Sequence, residues 1–149
     1  MINQAGTPSK QRLRLWLRLL KASRHIEAAL RERLRSEFDT TLPRFDVLAM
    51  LHKSGDGLTM GQLSQALMVS NGNVTGLVDR LAQDGAVKRL SVKGDRRAAR
   101  VALTQQGRVT FEHMAAVHEQ WVAELLATLS EQDIAQASEL LTRIKGDTV

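Results

Sequence analysis

Two helix starts lie only eleven residues apart in LTMGQLSQALMVSNGNVTGLVDRLAQDGAV, residues 58–87, and this spacing constrains the fold more than any other feature. Thr59-x-x-Gln62 reads as a capping box, in which hydroxyl and amide side chains satisfy free backbone amides reciprocally. It opens a short helix through Leu67. Ser70 reads as the N-cap of a further helix, Asn71 to Gln83, and Gly85 as its C-terminal stop. Met68-Val69 is the tight turn between them. Two short helices on so brief a joint are a helix-turn-helix candidate.

The flanking segments extend the pattern. Val87 to Val92 and Arg100 to Leu103 read as strands, with the charged turn Lys93-Gly94-Asp95-Arg96-Arg97 between them. A hairpin directly after a helix-turn-helix is a wing. Upstream, Lys10 to Phe38 is helical and carries two apolar stripes. Leu13, Trp16, Leu17, Leu20, Leu30 and Leu34 form one; Leu15, Leu19, Ala22, Ile26 and Ala29 form the other. Two stripes on one helix suggest two partners, its own core and another element or subunit. Pro43 opens a second helix that ends near Gly55-Asp56-Gly57. Thr104 caps a long helix through about Leu129, and Ser130 caps a last one. The expected class is mainly α (α+β): a winged helix-turn-helix at 43–104, helical dimerisation regions at 10–42 and 105–149, and a flexible N-terminus at 1–9.

Charge points to a polyanion. The net charge is +5, but residues 1–100 carry 18 Lys and Arg against 9 Asp and Glu, whereas 101–149 carry 3 against 7. A basic part on a mixed chain fits a nucleic-acid partner as well as a solvated basic surface. On the helix after Ser70, the spacing of Val74, Leu77, Val78 and Leu81 marks the buried face. The opposite face carries Gly72, Gly76, Asp79 and Gln83, flanked by Asn73, Thr75 and Arg80. A glycine inside a helix costs about 1 kcal/mol relative to alanine. Close approach to a DNA groove would explain Gly72 and Gly76; so would relief of crowding inside the protein. Asn and Arg can reach adenine and guanine edges bidentately. In the wing, a slim Arg-bearing hairpin can enter the narrow minor groove, and Asp95 can orient Arg97 by an ion pair. A solvated hairpin with surface charges fits the same residues.

Other chemistries find little support. With no cysteine, thiolate nucleophiles and Cys-type metal sites are excluded. GxSxG, P-loop, HExxH and GxGxxG are absent, so an enzyme is not expected. His113 and His118 are five apart, off one helical face, so no metal and no cofactor is expected. No run approaches the roughly 20 apolar residues of a membrane span, and the N-terminus lacks an apolar signal core. A cytoplasmic protein that does not engage membranes is expected.

In this order the pieces resemble the MarR family of bacterial transcription regulators. The resemblance runs from about Lys10 to Lys145 and is carried by LSQALMVSNGNVTGLVDRL (63–81), GDRRA (94–98) and Val101-Ala102-Leu103-Thr104-x-x-Gly107. It implies a homodimer whose first and last helices interlock, binding double-stranded DNA. Ser70, Asn71, Asn73, Thr75 and Arg80 match groove and phosphate contacts, Arg96 the wing-tip contact, and Asp95 and Arg97 the pair that shapes the wing. It also implies a small aromatic acid as effector, between the dimer helices and the DNA-binding lobe. Leu15–Leu20 and Thr41–Asp46 resemble regulators of aromatic-acid breakdown, some of which answer to aryl-CoA thioesters. Candidate effector contacts are Trp16, Leu20, Arg24, His25, Arg44 and Phe45, although Trp16 and Phe45 also fit core positions, and Arg24 and His25 surface or dimer-interface positions. The expected function is ligand-responsive repression at a pseudo-palindromic operator; a ligand-independent architectural DNA binder is the rival.

Overall fold

Every helix begins where a hydroxyl side chain can satisfy a free amide three residues on. In the computed structural model, which describes residues 6–92 and 95–146 without the side chains of 92–98, these helices are α1 (Pro8–Phe38), α2 (Leu42–Ser54), α3 (Met60–Leu67), α4 (Asn71–Gln83), α5 (Gln105–Leu125) and α6 (Glu131–Lys145). Their caps are Thr7, Thr41, Thr59, Ser70, Thr104 and Ser130. Such a cap contributes about 1 kcal/mol. The capping box at Thr59 and Gln62 is complete, and Ser130 makes another with Asp133.

Caps also explain where the elements depart from expectation. Thr7 followed by Pro8 starts α1 earlier, so Pro8 and Ser9 are helical; residues 1–5 lie outside the described residues. Thr41 starts α2 at Leu42, one residue early. α5 stops at Leu125, where Leu126 leaves helical geometry, because the extended Ser130 cap must be reached within a few residues. Three strands form an antiparallel sheet in the order β1-β3-β2: β1 (Leu58–Thr59), β2 (Val87–Val92) and β3 (Asp95–Leu103). β1 is too short to show a period and exists through its pairing with β3, Leu58 opposite Val101. β3 begins at Asp95 rather than Arg100, since its polar first half is held by the hairpin ladder, Leu90 opposite Arg100 and Val92 opposite Asp95.

The core is built from every layer. Leu30 and Leu34 of α1 meet Phe45, Val47, Leu48 and Leu51 of α2, Leu63 of α3, and Val74, Val78 and Leu81 of α4. Val87, Val101 and Leu103 close it from the sheet, and Phe111, Met114 and Trp121 from α5. Arg33 ties α1 to α5 through Glu124 at 2.6 Å and lies over the Trp121 ring.

α1 divides along its length rather than around its girth. Leu30 and Leu34 of one expected stripe and Ile26 of the other join the same core. Leu13, Leu15, Trp16 and Leu17, in the N-terminal half, are each more than half exposed. α6 buries no residue, and its Ile134, Leu140, Leu141 and Ile144 are open. Leu15 and Leu19 form with Ala137, Leu140, Leu141 and Ile144 an apolar groove of about 490 Å³. Among the described residues no helix is long and apolar enough to cross a membrane.

The joint between α4, the sheet and α5 is held by one threonine. The Thr104 hydroxyl donates to the Gly85 carbonyl at 2.6 Å and accepts from the Gly107 amide at 2.9 Å. The Thr104 amide donates to the Ala86 carbonyl at 3.0 Å. Gly107 lies so close to Ala86 that a Cβ there would overlap the Ala86 carbonyl. Backbone is on both sides of this contact and cannot swing away. Gly107→Ala is therefore expected to destabilise the fold by about 3 kcal/mol, from overpacking without relief, read as a lower urea midpoint.

Candidate nucleic-acid interface

The turn of the helix-turn-helix is locked from both ends. Met68 takes the left-handed conformation (φ 57°) as the cap of α3 and donates its amide to the Gln65 and Ser64 carbonyls. The Ser64 hydroxyl donates to the Val69 carbonyl at 2.6 Å. These bonds fix the short joint before α4, which places Val74, Val78 and Leu81 in the core. Leu77 and Ala82 pack partly against the same core, and the strip with Gly72 and Gly76 faces out.

That outer face is bare. A Cβ built on Gly72 or on Gly76 meets nothing within 4 Å. Crowding within the chain therefore does not account for these glycines, and that alternative falls. Ser70 accepts from the Asn73 amide at 3.4 Å, and the Thr75 hydroxyl donates back to the Asn71 carbonyl at 2.9 Å. Asn71 and Asn73 are exposed, and Arg80 is exposed beside Asp84 at 3.5 Å. Ser70, Asn71, Asn73, Thr75 and Arg80 thus come together on one exposed stretch of helix. On the other flank, Arg89 of β2 pairs with Asp79. The side chains of Asp95, Arg96 and Arg97 lie outside the described residues; their backbone belongs to β3.

The expected effector residues scatter. Trp16 is exposed on the free half of α1, Leu20 is half-buried, and Arg24 and His25 are exposed. His25 lines a shallow depression with Arg18, Lys21 and Ala22. Phe45 is 5% exposed in the core, stacked on His118 at 4.5 Å and close to Phe111. Of these residues, Arg44 lines two clefts beside α4. One, of about 410 Å³, runs past Gly72, Asn73, Gly76 and Arg80. The other, of about 280 Å³, lies between the end of α1 and the starts of α2 and α5, with Arg80 and Asp84 also on its wall. Proximity of Arg44 to the outer face of α4 was not legible in the sequence, because it depends on how α2 crosses α4. The Asp79–Arg89 pair was not legible either, because it depends on how β2 folds back beside α4.

Histidines line the α2–α5 seam. Burial pushes the His118 imidazole below its ordinary value, and burial first, then the Glu27 carboxylate, pushes the Asp46 carboxyl up. His52 contacts Glu112 at 3.1 Å, and His113 lies edge-on to Phe38. Among the described residues no group of three His, Asp or Glu could hold a metal ion.

The MarR family profile matches residues 38–98. The transcriptional regulator PecS of Dickeya dadantii is 30% identical over 133 residues, spanning 88% of this chain and 80% of that protein. A MarR family transcriptional regulator from Silicibacter pomeroyi superposes with a TM-score of 0.80 at 38% identity, over 95% of this chain and 97% of that one. A mutant MarR from E. coli complexed with operator DNA superposes with a TM-score of 0.77 at 26% identity, over 93% and 99%.

Two outcomes follow from the site. Gly76→Ala is expected to raise stability by up to about 1 kcal/mol, because space is free and alanine favours the helix. If this strip faces the operator groove, the same variant should bind operator more weakly, since the methyl stands on its open surface. Thermal melts and a binding titration read the two opposite signs. For His118, the folded-state value lies below the unfolded value near 6.5. Stability is then fully present above that value and is lost as pH falls below it, because the unfolded chain takes up the proton more readily. His118→Phe should flatten the fall in melting temperature between about pH 7 and pH 5.

Proposed function

The chain belongs to the MarR family of DNA-binding transcription regulators, and from that premise we propose that it acts as a homodimeric repressor on a pseudo-palindromic operator, released by a small aromatic anion or an aryl-CoA thioester. The observation that carries the operator reading is the bare, exposed face of α4 at Gly72 and Gly76, framed by Asn73 and Arg80. The helix can press its backbone against base edges, while Asn73 reads one of them. Ser70, Asn71 and Thr75 meet the neighbouring backbone. Arg96, oriented with Asp95 and Arg97, enters the minor groove from the wing.

Dimerisation joins the free N-terminal half of α1 to the open face of α6, each of which leaves apolar side chains uncovered in one chain. Contiguous apolar surface of this kind marks an interface. The regions 10–42 and 105–149 form the dimer, and 43–104 the DNA-binding lobe. Two α4 helices related by a two-fold axis fit half-sites about 10 bp apart. The protein works in the cytoplasm, where its operator is.

The effector acts by population shift, binding the DNA-incompetent spacing of the two α4 helices more tightly than the competent one. Arg44 supports this reading best, since it lines the clefts beside α4 and can hold a carboxylate. Trp16, Leu20, Arg24, His25 and Phe45 would contribute only across the dimer or after repacking.

Sedimentation at micromolar concentration should give twice 16.5 kDa. Calorimetry with benzoates, hydroxycinnamates and their CoA esters, with and without operator, tests the effector. A coupling of about 1–3 kcal/mol changes affinity by about 5- to 150-fold, and reciprocally for ligand and DNA. Identical ligand binding with and without operator would remove the effector role. No binding across the panel, with operator affinity intact, would favour an architectural DNA binder.

A further inference from the structure

The outer strip of α4 is not wholly neutral. At 100° per residue Asp79 lies on the same strip as Gly72, Gly76 and Gln83. A carboxylate there faces the phosphates of any duplex seated on the strip and repels them. Asp79 does not stand alone. Arg89 donates to it from β2, at the root of the wing. Arg89 lies opposite Val101 in the β2–β3 ladder, and Val101 is 2% exposed. The Arg89 stem therefore leaves the sheet on its packed face, and the guanidinium reaches over the rim to α4. The two side chains are 49% and 53% exposed, so the pair sits at the surface where DNA would lie.

We infer that Asp79 is a specificity-determining residue, which neutralises Arg89, keeps it off the phosphates and pins the wing root to the recognition helix. The inference rests on the reading that α4 enters the operator groove. Contacts between a cation and phosphate are blind to sequence, and each adds about 0.9 to the slope of log affinity against log salt. A free Arg89 would strengthen binding to every duplex. An Arg89 held by Asp79 brings no net charge to the face, and the base-reading residue Asn73 is left to discriminate. The pair also fixes the angle between helix and wing, so that both grooves are met in register only on the correct site. Non-specific complexes need no such register. Loss of Asp79 thus helps them more than it helps the operator complex.

The two single substitutions break one ion pair but leave opposite charges behind, and this separates the proposal from a structural role. The probes are a duplex enriched from a randomised pool by the wild-type protein, and poly(dI-dC). Asp79→Asn leaves Arg89 free; binding to poly(dI-dC) should tighten by about 3- to 10-fold and the salt slope steepen by about one unit. Operator affinity should change less, so the preference narrows. Arg89→Gln leaves Asp79 uncompensated; poly(dI-dC) binding should weaken by a similar factor. The double variant should return the salt slope to that of the wild type. Thermal melts keep folding in view. If both single variants weaken both duplexes alike with no change of slope, the pair only supports the fold and the inference is overturned. If the wild-type protein enriches no sequence at all, the operator reading fails and takes the inference with it.

Discussion

Thr104 fixes the joint on which the rest of the structure depends. Its hydroxyl is at once the cap of α5 and a donor to the Gly85 carbonyl just past the end of α4. One side chain therefore links the end of α4, the base of the hairpin and the start of α5. Gly107 is the other half of the joint, because only a residue without a Cβ lets α5 lie against Ala86. The Thr104-x-x-Gly107 pattern is thus a packing requirement as much as a family mark. The joint couples the position of α4 and the hairpin to that of α5.

α4 gives up intrinsic stability for access. Two interior glycines weaken the helix, and no neighbour needs the space they leave. The offset comes from Val74, Val78 and Leu81 in the core, from the Ser70 cap and from the locked turn at Met68. The charged residues on this helix are restrained as well. Arg80 has Asp84, and Asp79 has Arg89. At half exposure such pairs add little to stability. Their consequence lies in where they place charge along the outer face of α4.

The α2–α5 seam and the free ends of α1 and α6 show what one chain completes and what it leaves open. Phe45, Phe111 and His118 stack into a closed seam, so Phe45 serves the core in the single chain. Trp16 and its neighbours on α1 are left in solvent, as is the whole of α6. Among the described residues, nothing within one chain covers this apolar surface, in contrast to the α2–α5 seam.

The sequence by itself determined the starts of α4 and α6, the capping box that opens α3, the buried face of α4 and the order of helix, turn, helix and wing. α1 and α2 begin slightly earlier than their spacing suggested. Caps and helical periods are local: Thr59 with Gln62 or Ser70 with Asn73 act within three residues, so spacing alone reveals them. Arg80 with Asp84 is equally local. Only the tertiary structure decided the two-residue strand β1, the reach of β3 to Asp95, the pairing of Asp79 with Arg89 and the place of Arg44 beside α4. It also decided that α1 divides along its length, since only its C-terminal part lies over α2 and α5. Contacts such as Arg33 with Glu124 join residues 91 apart, and no period or cap encodes them. They follow from how buried faces stack, which is settled by packing the whole core at once.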